Sequence, residues 1–266
     1  MAVVEQPVML IDQSLCVGCE ACTTVCKSVY GVSTGVFRTK IDREETGVFP
    51  SVKVGYNKRA CQHCREAACV MACPTRALQK TPDKLTVLDQ RLCITCNYCV
   101  ANCPYGAINY DRSTRTMEKC DLCLVRIRDG LQPLCVEVCT SRVIEFGERS
   151  RMIAKAKERR KRLLEQGYAN ATIYGEEELG GLQVITVLSD APQSYGLPPD
   201  PRIPLGLRLW RMIPLTPAVL VAAGLVMGTN YLHTRFMERT KQVALEQGKK
   251  NTDASEKKVD LGGDAS

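Results

Sequence analysis

The sequence is short of the residues that usually fill a protein core. Of 266 residues, four are Phe, one is Trp and nine are Tyr, so aromatics make up only 5%. The hydrophobic fraction reaches 45% only with Cys counted as apolar. Histidine is limited to His63 and His233, which leaves little room for His-ligated zinc sites. There is no P-loop, no G-x-G-x-x-G after a strand and no plausible nucleophile triad, so no catalytic residue is assigned. The start, MAVVEQPVML, lacks a basic region, an apolar stretch of signal length and a cleavage site. No secretory signal is expected, and a secreted disulfide scaffold is disfavoured with it.

Cysteine is abundant: there are 16, in four sets of four with none left over. Cys16, Cys19, Cys22 and Cys26 read C-x2-C-x2-C-x3-C. Cys61, Cys64, Cys69 and Cys73 read C-x2-C-x4-C-x3-C-P. Cys93, Cys96, Cys99 and Cys103 read C-x2-C-x2-C-x3-C-P. Cys120, Cys123, Cys135 and Cys139 read C-x2-C-x11-C-x3-C. Two-residue gaps let a short loop wrap three irons of one cubane, with backbone N–H groups turned toward its sulfides. The fourth cysteine, on a helical turn facing the other way, then ligates a second cluster, as in two-cluster ferredoxins. Pro74 and Pro104 end the second and third loops, while Lys27 and Thr140 stand at the matching places of the first and fourth.

Four [4Fe–4S] clusters are therefore expected. Neighbouring groups two and three exchange their fourth cysteines, giving Cys61, Cys64, Cys69 with Cys103, and Cys73 with Cys93, Cys96, Cys99. Flanking groups one and four do the same, giving Cys16, Cys19, Cys22 with Cys139, and Cys26 with Cys120, Cys123, Cys135. The alternative is that each group holds its own cluster. Four all-thiolate zinc sites are a weaker alternative, because x2-x2-x3 is not a zinc-finger spacing. His63, between Cys61 and Cys64, either tunes a cluster by hydrogen bonding or is solvated. Irons fully ligated by Cys leave no open position, which points to electron transfer rather than bond chemistry.

The expected fold is α+β: two nested bacterial-ferredoxin-like [4Fe–4S] modules plus a single C-terminal transmembrane helix. The four-cluster domain spans 1–148, with an inner module at 61–104 nested in an outer one at 1–60 and 105–148. Residues 149–204 supply a basic helix and a β-containing docking segment, 205–233 an anchor helix and 234–266 a polar, disordered tail. Within 149–162, eight bases against one acid carry +7, which equals the formal excess of the whole chain. Helix formers continue to Gln166, and Gly167 is a good stop. This segment reads as a solvated helix face or a docking surface for an acidic partner protein. Without interleaved aromatics or a recognised fold, nucleic acid is not expected as a partner.

Residues 212–232 carry no charge and are long enough to cross a bilayer as a helix. Trp210 and Tyr231 lie near the ends, and Arg208, Arg211, Arg235 and Arg239 bracket the run. Gly224 and Gly228 form a G-x-x-x-G step, Pro214 and Pro217 suit a first turn, and His233 reads as interfacial. Three bases on each side leave the orientation open.

The four groups, in this order and with the x11 gap, resemble the iron–sulfur subunits that pair with molybdenum- or tungsten-pterin oxidoreductases and with some membrane-bound hydrogenases. GYANATIYGEEELGGLQVITVL (167–188), YGLPPDPRIP (195–204) and one apolar span resemble the β subunits of respiratory formate dehydrogenases of the N type. The resemblance implies a non-catalytic electron-transfer subunit linking a pterin-containing catalytic subunit to a membrane cytochrome b or quinone-reactive subunit. It also implies an anchor in the cytoplasmic membrane, and a cluster domain on the outer, periplasmic side exported folded on the catalytic subunit's twin-arginine signal. A [NiFe] hydrogenase large subunit is the alternative donor. A metal-stabilised binding protein without redox function is the alternative from a different class.

Overall fold

The computed structural model describes residues 6–212, 221, 224–235 and 237. The chain divides into two units, Met1–Arg211 and Met212–Ser266. In chain order the elements are β1 (Pro7–Asp12), α1 (Ala21–Val29), β2 (Thr39–Thr46), β3 (Lys53–Ala60), α2 (Ala68–Met71), β4 (Leu78–Lys80), β5 (Thr86–Leu88), α3 (Tyr98–Ala101), β6 (Ile108–Asp111) and β7 (Thr116–Lys119). They continue with α4 (Leu124–Arg128), α5 (Leu134–Glu137), β8 (Ile144–Glu148), α6 (Arg149–Glu165), β9 (Thr172–Tyr174), β10 (Val184–Leu188) and α7 (Leu205–Met212).

A four-stranded sheet in the order β8-β1-β10-β9 anchors the first unit. β1 pairs parallel with β10 and antiparallel with β8, and β10 pairs antiparallel with β9. All six residues of β1, Pro-Val-Met-Leu-Ile-Asp, are buried, as are all five of β10; strands covered on both faces read as continuous apolar runs. The period of two then sorts the side chains. Val8 and Leu10 pack with Ile185 and Val187 against Met152, Ala156 and Leu163 of α6. Met9, Ile11 and Val184 point the other way, into a cluster that contains Cys22, Cys135, Leu122 and Ile144. One face of the sheet thus meets a helix, and the other meets cysteines of the first and fourth groups.

The remaining strands form three antiparallel hairpins, β2–β3, β4–β5 and β6–β7. Two cysteine loops enter from the same local device. Asp12 accepts the backbone N–H of Ser14 at 3.1 Å and Asp89 that of Arg91 at 3.0 Å, capping 3-10 turns at Gln13–Leu15 and Gln90–Leu92 that deliver Cys16 and Cys93.

The basic helix forms where the sequence predicts it. α6 ends at Glu165 with Gln166 as cap, and Gly167 takes the left-handed stop at φ 93°. Most of its bases are tied down within the chain. Arg159 and Lys155 both pair with Glu145, Lys157 pairs with Glu176 at 2.8 Å, and Arg162 pairs with Glu158. Arg149 donates to Leu182 O and Arg160 to Ala171 O. This helix covers the sheet, and its cations brace it there.

The expectation of a transmembrane helix is overturned. Among the described residues, no helix is long and apolar enough to cross a membrane. α7 has eight residues, with Arg208 and Arg211 among them, and is about 12 Å long at 1.5 Å per residue, against a hydrocarbon core of about 30 Å. The continuous described helical stretch further on, 224–235, has 12 residues and ends on Arg235. Pro214, Pro217, Arg239 and most of the expected tail at 234–266 lie outside the described residues, and Trp210 and Arg211 are described in backbone only.

Candidate metal centre

The cysteine loops share a backbone conformation. In the first C-x2-C step of each of the four groups, the residue before the second cysteine has a left-handed φ: Gly18 at 67°, His63 at 48°, Thr95 at 53° and Leu122 at 58°. Three of these are not glycine and one is β-branched, a conformation that costs of order 1–3 kcal/mol and is held where the surroundings require it. Alternating handedness turns successive N–H groups to one side of a loop, a concavity that receives anions. The turned N–H groups of His63 and Leu122 donate back to Cys61 Sγ and Cys120 Sγ, each at 3.4 Å, and the N–H of Gly18 donates to the Cys16 sulfur.

The fold brings the sixteen cysteines, all free of disulfides, into four quartets. One cavity is lined by Cys16, Cys19, Cys22 and Cys139. A second is lined by Cys26, Cys120, Cys123 and Cys135. A third is lined by Cys73, Cys93, Cys96 and Cys99. Cys64 meets Cys61, Cys69 and Cys103. Each quartet thus draws three cysteines from one group and one from another.

The quartets follow one another in a line. The first and second are joined where Cys135 meets Cys22. Cys120 of the second packs against the buried cluster that holds Cys61 of the third. Cys69 of the third meets Cys99 of the fourth. Two cysteines are exposed, Cys19 in the first quartet and Cys96 in the last, each flanked by exposed apolar side chains: Leu15 and Val17 at one end, Leu92, Ile94 and Tyr98 at the other.

Burial dominates the electrostatics of the middle of this line. It pushes the thiols of Cys26 and Cys69 up to about 12, and raises Cys120 and Cys64 as well, because a thiolate loses its hydration there. A bound cation would hold such sulfurs deprotonated. At the rims the direction reverses. The Ala21 N–H and the Thr140 hydroxyl hold Cys19 below its ordinary value. For Cys73, burial is outweighed by the N–H of Leu78, the Thr75 hydroxyl and the N–H of Ala77.

Buried cations, which the sequence reading did not single out, stand between the quartets. Lys58 and Lys119 are each 3% exposed. Lys119 donates to Cys120 O at 2.6 Å and to Thr86 O, and Lys80 to Cys64 O at 2.7 Å. Burial opposes the charge of Lys58, but the sulfurs of Cys135, Cys120, Cys22 and Cys26 outweigh it and its pKa is raised. Arg38 lies 4.1 Å over the Tyr30 ring, pairs with Glu118 at 2.6 Å and lines the second cavity beside Tyr30.

His63 is fully buried, so the solvated reading of this residue is excluded. Burial, reinforced by Lys119, Lys80 and Lys58, pushes its pKa well below the ordinary value. Its Nδ1 accepts the Thr86 N–H at 3.0 Å, which places the ring proton on Nε2; that atom has no partner among the described residues. A donor buried without an acceptor is costly, and it fits a site whose acceptor is a bound group. His233 is exposed on a described helical segment of the second unit.

Among the described residues, no three His, Cys, Asp or Glu side chains converge tightly enough to hold a single metal ion. A four-iron cluster asks for something else, one thiolate per iron. Four cysteines brought together, ringed by N–H donors, fit that demand.

Comparisons with known proteins agree with this donor set. A family model described as a 4Fe-4S dicluster domain matches residues 52–149. The iron–sulfur subunit of the nitrate-inducible formate dehydrogenase of Escherichia coli K12 is 32% identical over 241 residues, which cover 82% of each chain. The formate dehydrogenase iron–sulfur subunit of Haemophilus influenzae is 33% identical over 236 residues, 81% of this chain and 75% of the relative. Protein NrfC of Escherichia coli K12 is 40% identical over 142 residues, 52% of this chain and 64% of the relative. With its cysteine loops, its cysteine quartets and relatives aligned along most of its length, this chain belongs to the family of [4Fe–4S] electron-transfer subunits typified by the iron–sulfur subunits of formate dehydrogenase.

Proposed function

We propose that the chain holds four [4Fe–4S] clusters and conducts electrons between a pterin-containing formate dehydrogenase subunit and a membrane cytochrome b or other quinone-reactive partner. Cys16, Cys19, Cys22 and Cys139 hold the first cluster, and Cys26, Cys120, Cys123 and Cys135 the second. Cys61, Cys64, Cys69 and Cys103 hold the third, and Cys73, Cys93, Cys96 and Cys99 the fourth. The observation that carries this reading is the line of quartets, each with three cysteines from one group and one from another. Bound there, the clusters supply one-electron steps at potentials set by charge, hydrogen bonds and exposure.

The protein's own residues do the rest. Left-handed loop residues aim N–H groups at the sulfurs, and apolar side chains such as Leu122, Ile144 and Met117 keep water away from them. The ends of the line, at Cys19 and Cys96, are where redox partners would approach, and the exposed apolar residues around them suit partner contact. Placement at the outer face of the cytoplasmic membrane would follow from the membrane partner.

Purification of the native complex tests this reading. A molybdenum- or tungsten-containing subunit with formate-dependent reduction of the chain supports it, and a nickel subunit with no pterin subunit contradicts it. A second reading keeps the wiring and changes the donor. In it a [NiFe] hydrogenase large subunit takes the place of the formate dehydrogenase subunit. Reduction of the complex by formate decides between the two.

A further inference from the structure

Three lysines are drawn into the cysteine-rich interior, and one differs from the others. Lys80 and Lys119 each donate to backbone carbonyls, at 2.7 and 2.6 Å for their contacts to Cys64 O and Cys120 O. Lys58 is as buried as Lys119, at 3% exposure, yet among the described residues no carboxylate and no carbonyl pairs with its ammonium.

Its location accounts for this. Lys58 lies on β3 opposite Ile41 of β2. It is the single residue common to the linings of the first two cavities, the one formed by Cys16, Cys19, Cys22 and Cys139 and the one formed by Cys26, Cys120, Cys123 and Cys135. A lone buried ammonium is strongly disfavoured unless opposite charge surrounds it. The groups that surround this one are cysteine sulfurs of both quartets.

We propose that the Lys58 ammonium is an electrostatic bridge shared by the first two clusters, raising the reduction potential of both and easing the placement of electrons on neighbouring sites; this rests on the cluster reading above. The physical basis is simple. Four thiolates make each cluster site anionic, and reduction adds one electron to it without a proton. A fixed positive charge next to both sites lowers the cost of that added negative charge in each. It also screens the repulsion between an electron on one site and an electron on the other. Lys58 does not line the fourth cavity, and its charge reaches the third quartet more weakly, at His63.

The test is a dithionite titration, read by EPR, of the purified full-length chain with its clusters, in the parent, Lys58→Met and Lys58→Arg forms. Iron and sulfide are measured on each sample. In Lys58→Met, two clusters are expected to become about tenfold harder to reduce, equal to about 59 mV for one electron. The other two are expected to shift by clearly less, and Lys58→Arg stays near the parent. No shift, or an equal shift of all four clusters, in a fully loaded Lys58→Met protein overturns the inference while leaving the cluster reading intact. A parent protein without iron overturns the cluster reading instead. If Lys58→Met loses the first two clusters, Lys58→Arg decides: retention of all four at parent potentials supports a requirement for charge, and loss in both variants reduces Lys58 to packing and overturns the inference.

Discussion

Cys22 and Cys26 stand one turn apart on the same helix and line different cavities. Cys22 meets Cys16, Cys19 and Cys139, whereas Cys26 meets Cys120, Cys123 and Cys135. Residues four apart share a helix face, so the separation comes from the rise along the axis, about 6 Å, rather than from a turn to the opposite side. α1 is therefore a strut between two metal sites.

Cys26→Ser is expected to damage the second cluster and spare the first. Redox-titrated EPR of the purified variant reads this as loss or conversion of one signal, with about three quarters of the parent iron at the lowest. Loss of the cluster at Cys16, Cys19 and Cys22 instead would assign each cysteine group its own cluster.

Gly18→Ala is expected to destabilise the first loop by at least about 2 kcal/mol. Gly18 has φ 67°, and a Cβ there would lie 2.4 Å from Cε1 of Tyr56. Denaturant unfolding of the loaded protein checks the cost. Pairing the change with Tyr56→Ala is expected to recover the steric part and leave the backbone part.

How far this was legible from sequence differs by feature. The cysteine loops were legible because each is local and its spacing stands in the chain itself; which cysteines hold which cluster is part of the proposal. The helix at 149–165 was legible from its formers and its glycine stop. Lys58 was not, because nothing local in KVGYNKRA marks its lysine, and only cysteine groups far away in sequence show what surrounds it. The parallel pairing of β1 with β10 joins residues more than 170 positions apart and leaves no local trace. The charge of 149–162 stands out in the chain, whereas its pairing with Glu145 of β8 and with Glu176, in the turn after β9, depends on the tertiary fold. The uncharged run at 212–232 met the length criterion for a membrane span, whereas the helices described there are too short to meet it.

Met152→Ala is expected to cost about 2–5 kcal/mol. Met152 is 1% exposed and packs between α6 and the Val8, Leu10 and Ile185 face of the sheet. The loss should appear in global unfolding, with EPR signals unchanged under native conditions, since this face is turned away from the cysteines.

Tyr174→Phe is expected to cost about 1 kcal/mol. The Tyr174 hydroxyl donates to Pro198 O at 2.8 Å and lies 3.2 Å from the Tyr105 hydroxyl, and the two rings meet edge to face. The change should lower the denaturation midpoint with little effect on the slope, since apolar burial is retained.

The central claim, that sixteen cysteines form four one-electron sites, is tested most directly by iron and acid-labile sulfide analysis combined with redox-titrated EPR on the anaerobically purified full chain. About sixteen irons and sixteen sulfides per chain, with four reversible one-electron reductions, are expected. Zinc in place of iron, iron for only two clusters in a fully assembled complex, or iron that cannot be reversibly reduced would contradict the account.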